Sequence, residues 1–456
     1  TIVKPPVDCP RSTFGTYWRL KKSLYGLRRA PKHWFNLISS FLQSPEIGLQ
    51  RCKNDPCVFF GNPIPGKPPL YLILYVDDFV YFSEDDDVES YFQQALQAKI
   101  SVDFMGDAEW FIGMKFDWAR SLDGHVDCRI SQEAYIQEIV SELGQSNANS
   151  SPLMTPFRSG LPVDAIPFVE MSLTDRAPLI AKMQCWMGMM NWLTMGTRPD
   201  ISTIVSLLAS HTSLPSPGHL DAVKYLGRYL KSTADLGLLF SSRRNTTFEG
   251  YIYFPLSETD DLPSGGTAPR LTSFCDANWG PQDASLPNPL GPLRQVSIDE
   301  SRSIRGHLLM MGGCPIFWKV HKENRTSRSS CEAEVKATDE CVKTRQMFRH
   351  VLVELGLLDI NLPTTIYNDN RGAVDWSNSS STKGMRHVNI RENAVREAKE
   401  FNEVSILHIA GASNPSDLFS KEFKSDAIFR TLRGLLLSFP SSFSGINTVP
   451  RSDGGC

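Results

Sequence analysis

Two adjacent aspartates, Asp77 and Asp78, lie between two runs of aromatic and aliphatic residues in segment 70–83, LYLILYVDDFVYFS. These runs predict two strands joined as a hairpin, with the acids at its tip. Neighbouring carboxylates repel each other and lose hydration beside apolar strands, so a divalent cation would compensate their charge. Two such ions can carry out phosphoryl transfer by activating a 3'-hydroxyl and neutralising a triphosphate. A polar turn without a metal is the alternative interpretation.

A second set of acids is spread over the C-terminal half of the chain. Asp276 ends an apolar strand, Glu334 lies at the start of a helix, Asp369 follows another strand, and Asp417 begins a further helix. Acids at the ends of such elements in an α/β domain can converge on one point, where bound cations would be needed. Two divalent ions there would activate a water while a phosphodiester is cut. Taken singly, each acid also fits a helix cap or a surface position.

The elements that position these acids belong to more than one domain. A chain of 456 residues exceeds what one core normally serves, and 41% hydrophobic with 21% charged residues is typical of a globular protein. Polar, turn-forming segments at 145–158, 241–270 and 440–456 are the expected boundaries. The block between the first two boundaries is mostly helical, and the next alternates strands with helices. The longest apolar run, Leu70–Val76, is far shorter than the roughly 20 residues of a membrane span, so no membrane partner is expected.

A basic stretch lies near the N-terminus, although the formal net charge of the chain is -3. Between Cys9 and Pro45 there are seven Lys or Arg residues and no Asp or Glu. Aromatic residues such as Tyr17, Tyr25 and Trp34 are interleaved with them. Bases stack on aromatic rings while cations hold the phosphate backbone, so the pattern favours nucleic-acid binding. A solvated basic face is the alternative.

The ten cysteines are scattered over the chain without a CxxC pair. We therefore expect neither a disulfide framework nor a zinc site. The absence of a charged, apolar leader at Thr1 argues against secretion, and the absence of an initiating Met indicates a fragment or a processed product.

Several short motifs resemble those of one protein family and occur in its order. Tyr75-Val76-Asp77-Asp78 resembles the polymerase motif of reverse transcriptases, and residues 23–35, SLYGLRRAPKHWF, are similar to the copia-type segment SLYGLKQAPRAWY. Further copia-like segments follow at residues 54–59, 110–114, 130–136, 197–201 and 229–238. The chain is identified by these motifs as similar to copia-type LTR retrotransposon polyproteins.

The resemblance implies that the basic stretch contacts a template RNA and a DNA primer. Gly26 would let the backbone approach the nucleic acid, and Ala30-Pro31 would open the supporting helix. A second basic segment, 383–392, resembles the family's KHIDIR region and fits contact with the backbone of an RNA/DNA hybrid. The implied nucleic-acid-binding residues are Tyr25, Gly26, Arg28, Arg29, Lys32, Trp34, Lys383, Arg386, His387 and Arg391.

The second set of acids lies in copia-like segments that have the order Asp, Glu, Asp, Asp of RNase H. These segments are FCDA at 274–277, SSCEAE at 329–334, NDN at 368–370 and DLFSK at 417–421. Glu332 competes for the second position, but the order of the motif favours Glu334. The resemblance implies two Mg2+ ions per site, with Mn2+ as the alternative metal. The implied catalytic metal ligands are Asp77, Asp78, Asp276, Glu334, Asp369 and Asp417.

One departure from the family concerns the polymerase site. Reverse transcriptases are understood to use a third metal-binding Asp on a strand that precedes the region where this chain begins. Asp8 lies in a Pro-rich loop and does not resemble that strand. A site without one ligand would bind magnesium poorly and misplace the reacting groups, where about 1 Å can cost about a hundredfold. We expect no independent polymerase activity.

The expected fold class is α/β and α+β multidomain. We expect a partial reverse-transcriptase palm in residues 1–145, a largely helical thumb or connection in 146–264, an RNase H-like α/β domain with a central mixed sheet in 265–425, and a flexible tail in 426–456.

The leading functional hypothesis is a retrotransposon reverse transcriptase/RNase H fragment. It implies RNA-directed DNA synthesis from dNTPs in the full polyprotein, and two-metal hydrolysis of the RNA strand of RNA/DNA hybrids. The alternatives are a decayed or reused remnant that binds nucleic acid without catalysis, and an unrelated scaffold whose acids lie far apart. The resemblance also implies a cytoplasmic virus-like particle with nuclear entry, and leaves dimerisation open.

Overall fold

The computed structural model divides the chain into two compact units, Thr1–Ala108 and Glu109–Cys456. In the part of the chain that is described, no helix has both the length and the apolar character needed to cross a bilayer. The described residues are 2–4, 17–121, 124–146, 151–156, 173–213, 215, 217–242, 271–279, 302–379, 393–421, 423 and 425–440.

The first unit contains an antiparallel sheet of strands β3 to β6, in sequence order, with helices on one face. Leu70, Leu72 and Leu74 of β5 are buried, because alternate residues of a strand face opposite sides of the sheet. Ile38 of α1 and Phe92 of α2 belong to the same buried cluster. The elements are β1 (Ile2–Val3), β2 (Trp18–Arg19), α1 (Ala30–Leu42), β3 (Leu49–Arg51), β4 (Val58–Gly61), β5 (Leu70–Tyr75), β6 (Asp78–Ser83) and α2 (Asp86–Gln97).

Local sequence signals explain where these helices start. Helix α1 begins with Ala30-Pro31 as predicted, because Pro lacks an N–H that would be unpaired in the first turn anyway. Helix α2 is capped by Asp85, whose Oδ1 accepts hydrogen bonds from the backbone N–H groups of Asp87 (3.0 Å) and Val88 (3.3 Å).

The second unit opens with antiparallel strands and a group of helices. Strand β9 pairs with both β8 and β10, and β8 also pairs with β7. Lys231 at the end of α6 donates to the carbonyls of Gln145 (3.2 Å) and Ser146 (2.7 Å), so its ammonium is used within the fold. The elements are β7 (Trp110–Phe111), β8 (Met114–Arg120), β9 (Val126–Ser131), α3 (Glu133–Glu142), α4 (Leu173–Gly196), α5 (Ser202–Ala209), α6 (Pro217–Ser232) and β10 (Gly237–Ser241).

The rest of the second unit is built on the central mixed sheet that was expected. Among the described residues, its strand order is β13-β12-β11-β14-β15. Strand β11 is antiparallel to β12 and parallel to β14, and β14 is parallel to β15. The elements are β11 (Leu271–Asn278), β12 (Ile304–Met311), β13 (Cys314–Lys322), α7 (Ser330–Glu354), β14 (Thr364–Asn368), α8 (Arg371–Asn378), α9 (Ala394–Glu400), β15 (Val404–His408), α10 (Asp426–Gly434) and β16 (Leu437–Ser438).

Both faces of the mixed sheet are covered. On one face, Leu309 and Ile366 share a buried cluster with Cys341 of α7. On the other face, Phe274 and Leu308 belong to the cluster that includes the helices α4, α5 and α6. The helical block and the mixed sheet therefore share one apolar core.

A buried ion pair stabilises the helical block. The guanidinium of Arg198 donates from Nε and Nη2 to the carboxylate of Asp200 at 2.9 and 2.8 Å, and from Nη1 to the carbonyl of Thr233 at 2.9 Å. The hydroxyl of Tyr229 donates to Asp200 Oδ2 at 2.6 Å and accepts from Arg433 Nη1 of α10 at 3.0 Å. Both members of the pair are thus hydrogen-bonded by other groups, which offsets the cost of burial.

Part of the expected flexible tail is ordered. Helix α10 buries Phe429 and Leu432, and β16 pairs with β10 through Leu437 and Leu238. Residues 441–456 lie outside the described residues, and the division between palm and helical block at residue 145 stays a prediction.

Candidate active site

Asp77 and Asp78 lie at the tip of a hairpin, as predicted. Tyr75 pairs with Asp78, so Val76 and Asp77 form the turn between β5 and β6. Val76 has a φ of 54°, a left-handed conformation that is costly for a β-branched residue. Trp34 of α1 donates from Nε1 to the Val76 carbonyl at 2.7 Å. The tryptophan therefore fixes the turn that presents both acids.

Both carboxylates at the hairpin tip are exposed. Among the described residues, no third Asp, Glu, His or Cys joins them in a group that could hold one ion. The hairpin therefore presents two carboxylates at a solvent-accessible position.

The predicted nucleic-acid-binding residues of the first unit lie around the start of α1. Tyr25, Arg28, Arg29 and Lys32 are exposed. Gly26 has a φ of 88°, which favours glycine, and the space beside it is open. Trp34 differs from this group because its indole is half-buried and bonded to the hairpin. The remaining predicted residues, Lys383, Arg386, His387 and Arg391, lie outside the described residues.

The mixed sheet brings the second set of acids together. Strands β11 and β14 are parallel neighbours with Cys275 beside Asn368, so Asp276 and Asp369 follow at the same end of the sheet. Glu334 lies in α7, which is capped by Ser329 Oγ accepting from the Glu332 N–H at 3.1 Å. Ligand oxygens of Asp276, Glu334 and Asp369 lie within 4.8 Å of one another.

Asp417 joins this cluster from a 3-10 helix, Pro415–Phe419. Its Oδ1 is 2.7 Å from Lys421 Nζ, which is also 3.0 Å from Asp276 Oδ1 and 3.7 Å from Asp369 Oδ2. All four predicted acids are therefore linked in one site, either directly or through this lysine.

Glu334, and not its neighbour Glu332, faces the cluster. Glu332 accepts from the backbone N–H of Arg328 at 2.8 Å and pairs with Lys336 at 2.8 Å. Glu334 Oε2 accepts instead from Asn368 Nδ2 at 3.0 Å. The choice of Glu334 made from the order of the motif agrees with this geometry.

Burial perturbs the acids strongly. Desolvation, together with the charges of Asp276 and Asp369, raises the pKa of Glu334 to about 10. Desolvation and the charge of Asp276 raise the pKa of Asp417 to about 7 and also raise the pKa of Asp369. Among the residues that the structure describes, the four carboxylates therefore outnumber the one ammonium, that of Lys421, that lies among them.

The donor set fits a divalent cation. The three acids that lie within 4.8 Å of one another offer only carboxylate oxygens, which hard divalent ions such as Mg2+ prefer. Asp276 is fully buried, and its Oδ1 lies 3.0 Å from the Lys421 ammonium but accepts no hydrogen bond from a described residue. Such a cluster is a site that a cation would stabilise.

Three residues of the site had no assigned role in the sequence analysis. Lys421 contacts three of the acids, Ser420 Oγ donates to Asp276 Oδ2, and Asn368 binds Glu334. A signal for Lys421 was present, since it follows Asp417 by four residues, a spacing that places two side chains on the same face of a helical turn. Ser420 and Asn368 gave no such signal.

Sequence comparisons place the chain among known proteins. Residues 1–158 match the reverse transcriptase (RNA-dependent DNA polymerase) family. The retrovirus-related Pol polyprotein from transposon TNT 1-94 of Nicotiana tabacum is 26% identical over 406 residues, which are 88% of this chain and 27% of that protein. The Pol polyprotein from transposon RE2 of Arabidopsis thaliana is 24% identical over 438 residues, 96% of this chain and 26% of that protein. The chain thus spans about a quarter of the length of these relatives.

Two solved RNase H1 structures also align with part of the chain. LC11-RNase H1, isolated from compost, has 13% identity and a TM-score of 0.25, covering 33% of this chain and 92% of that chain. RNase H1 of Halobacterium salinarum has 13% identity and a TM-score of 0.23, covering 33% of this chain and 94% of that chain. These TM-scores are too low to carry an argument about this chain. The chain is thus similar to retrotransposon Pol polyproteins over most of its length, and its residues 1–158 match the reverse transcriptase family.

Proposed function

We propose that the mixed-sheet domain hydrolyses the RNA strand of RNA/DNA hybrids with bound Mg2+. The observation that carries the proposal is the convergence of Asp276, Glu334 and Asp369 within 4.8 Å, with Asp417 beside them. Buried and half-buried acids at this distance repel one another unless cations compensate them. The all-carboxylate donor set suits Mg2+, and Mn2+ is the alternative.

The roles of the acids follow from their positions. Asp276 is the central ligand, because it lies in the group with Glu334 and Asp369 and shares Lys421 with Asp417. Asn368 orients Glu334, and Ser420 orients Asp276. Bound divalent ions supply activation of the attacking water and stabilisation of the leaving oxygen.

For the first unit we propose a part in RNA-directed DNA synthesis by the full polyprotein. Asp77 and Asp78 would supply metal ligands there, while Tyr25, Arg28 and the other exposed residues near α1 would hold template RNA and DNA primer, with dNTPs as substrates. Location in a virus-like particle with nuclear entry, and assembly as a dimer, belong to the same proposal.

The test measures cleavage of an RNA/DNA hybrid with a labelled RNA strand in the presence of Mg2+. The purified wild-type chain is compared with two variants. Asp369→Asn removes one ligand charge from the cluster. Asp375→Asn is the matched control, because Asp375 is exposed on α8 in the same domain. We expect RNA cleavage by the wild type and the control, and a loss of at least about a hundredfold in Asp369→Asn.

The same assay distinguishes RNA hydrolysis from the alternative function, which is nucleic-acid binding without catalysis. Hybrid binding without cleavage by any of the three folded proteins would support a remnant that only binds nucleic acid. Cleavage that Asp369→Asn retains in full would mean that another site or a contaminant cuts the RNA.

A further inference from the structure

Lys421 lies inside the carboxylate cluster. Its Nζ is 2.7 Å from Asp417 Oδ1, 3.0 Å from Asp276 Oδ1 and 3.7 Å from Asp369 Oδ2. Asp276 is fully buried, and its second oxygen accepts from Ser420 Oγ. One ammonium therefore compensates three of the four acids.

The backbone of the fold holds Lys421 in this position. Asn414 Nδ2 donates to the Cys275 carbonyl at 3.1 Å, and Thr203 Oγ1 donates to the Leu418 carbonyl at 2.6 Å. Phe419, which lies in sequence between these two hydrogen-bonded residues and Lys421, is fully buried. The segment is thus fixed against β11 and α5, and it delivers the lysine to the acids.

The fourth acid has a different environment. Glu334 accepts from the amide of Asn368, and among the described residues no Lys or Arg forms an ion pair with it. Glu334 nevertheless belongs to the group with Asp276 and Asp369 that could hold an ion. In the described part of the chain, the cluster therefore has a cation at its Asp417 side and none at its Glu334 side.

We propose that Lys421 is a resident cation of this site, which permits tight binding of one divalent ion at the Glu334 side and opposes a second ion at the Asp417 side until the lysine leaves. The inference rests on the proposed metal-dependent function of the cluster. Charge supports it, since four carboxylates that are all ionised around bound metal carry four negative charges, and Lys421 with one divalent ion supplies three positive charges. A second divalent ion would bring the positive charge to five, more than the acids balance.

The test uses two measurements on the full chain. Calorimetric titration measures Mn2+ binding, and thermal denaturation in EDTA measures stability without metal. Lys421→Met removes the charge and keeps a side chain of similar length, and Lys421→Arg keeps the charge. Lys343→Met is the matched control, because Lys343 also pairs with an Asp four residues earlier, Asp339 on α7. We expect Lys421→Met to bind the second Mn2+ about tenfold or more tightly than the wild type.

In EDTA, Lys421→Met should unfold at a lower temperature than the wild type, and Mn2+ should restore much of the loss. Lys421→Arg should stay closer to the wild type in both measurements, and Lys343→Met should leave Mn2+ binding unchanged. Refolding of Lys421→Met only in Mn2+ would also support the proposal, because an added cation would then replace the lost one.

Unchanged Mn2+ binding and an unchanged unfolding temperature in Lys421→Met would overturn the inference. If no protein binds Mn2+ but Lys421→Met loses stability in EDTA, the proposed metal function fails while the role of Lys421 as counter-charge stands.

Discussion

Substituting Gly306 by Ala should displace the segment that carries Asp417 and Lys421. Gly306 of β12 lies opposite Asp276 in the sheet register. A Cβ at this position would lie 2.5 Å from the Cβ of Phe419, 2.6 Å from its carbonyl carbon and 2.7 Å from its carbonyl oxygen. Two of these atoms are backbone, so a rotamer change cannot relieve the contact, and either the strand or the 3-10 helix must move.

The size of the effect follows from these distances. Ordinary van der Waals contact begins at 3.4 Å, so the closest backbone atom at 2.6 Å must retreat by about 0.8 Å. Overpacking of this kind costs about 1–3 kcal/mol of unfolding free energy. A shift approaching about 1 Å at reacting groups can cost about a hundredfold in rate, so we expect RNA cleavage to fall about 10- to 100-fold.

The assays are thermal denaturation and single-turnover hybrid cleavage. Gly188→Ala is the control, because Gly188 lies in α4 with no atom within 4 Å of an added Cβ. The unfolding free energy of this control should rise by about 0.5–1 kcal/mol, because Ala has a higher helix propensity than Gly. Wild-type stability and wild-type cleavage in Gly306→Ala would refute the argument that the 3-10 helix is held tightly against β12.

Three further predictions concern the supporting structure. Arg198→Met should lower the unfolding free energy by about 3–5 kcal/mol in urea titrations, because it leaves Asp200 buried and uncompensated; a loss under about 1 kcal/mol would contradict this. Burial lowers the pKa of His307 to about 4, from 6.5, so the unfolded chain takes up the proton first as pH falls. Stability should therefore drop by about 2 kcal/mol between pH 7 and pH 5, and His307→Gln should lose that part of the dependence; identical pH profiles would be inconsistent with it. Trp34→Phe removes the donor to the Val76 carbonyl and should weaken the hairpin by about 1 kcal/mol, seen as faster amide exchange in β5 and β6; unchanged exchange would argue against it.

The parts of the site that follow from local patterns could be predicted from the sequence. Asp77 and Asp78 lie between two apolar runs, and a hairpin places such residues at its tip. Asp276 lies near the end of a buried strand and Asp369 directly follows another, and parallel neighbouring strands end at the same edge of a sheet. The convergence of these two acids could therefore be predicted once the two strands were assigned and taken to be parallel neighbours.

The parts that depend on long-range packing were not predictable in this way. The role of Ser420, and the contact of Lys421 with Asp276, depend on how the 3-10 helix packs against β11 and β12, which no periodicity encodes. The same holds for β16, which pairs with β10 about 200 residues away in sequence and orders part of the expected tail. Arg433 likewise reaches Tyr229 only through tertiary packing.

The most direct test of the central claim is a crystal structure of the chain with Mn2+, using anomalous scattering to locate the metal. We predict an anomalous peak bound by carboxylate oxygens of Asp276, Glu334 and Asp369, with Asp417 beside Lys421. Carboxylates that lie far apart, or Mn2+ bound only elsewhere on the chain, would contradict the proposal that this cluster is the metal site of the mixed-sheet domain.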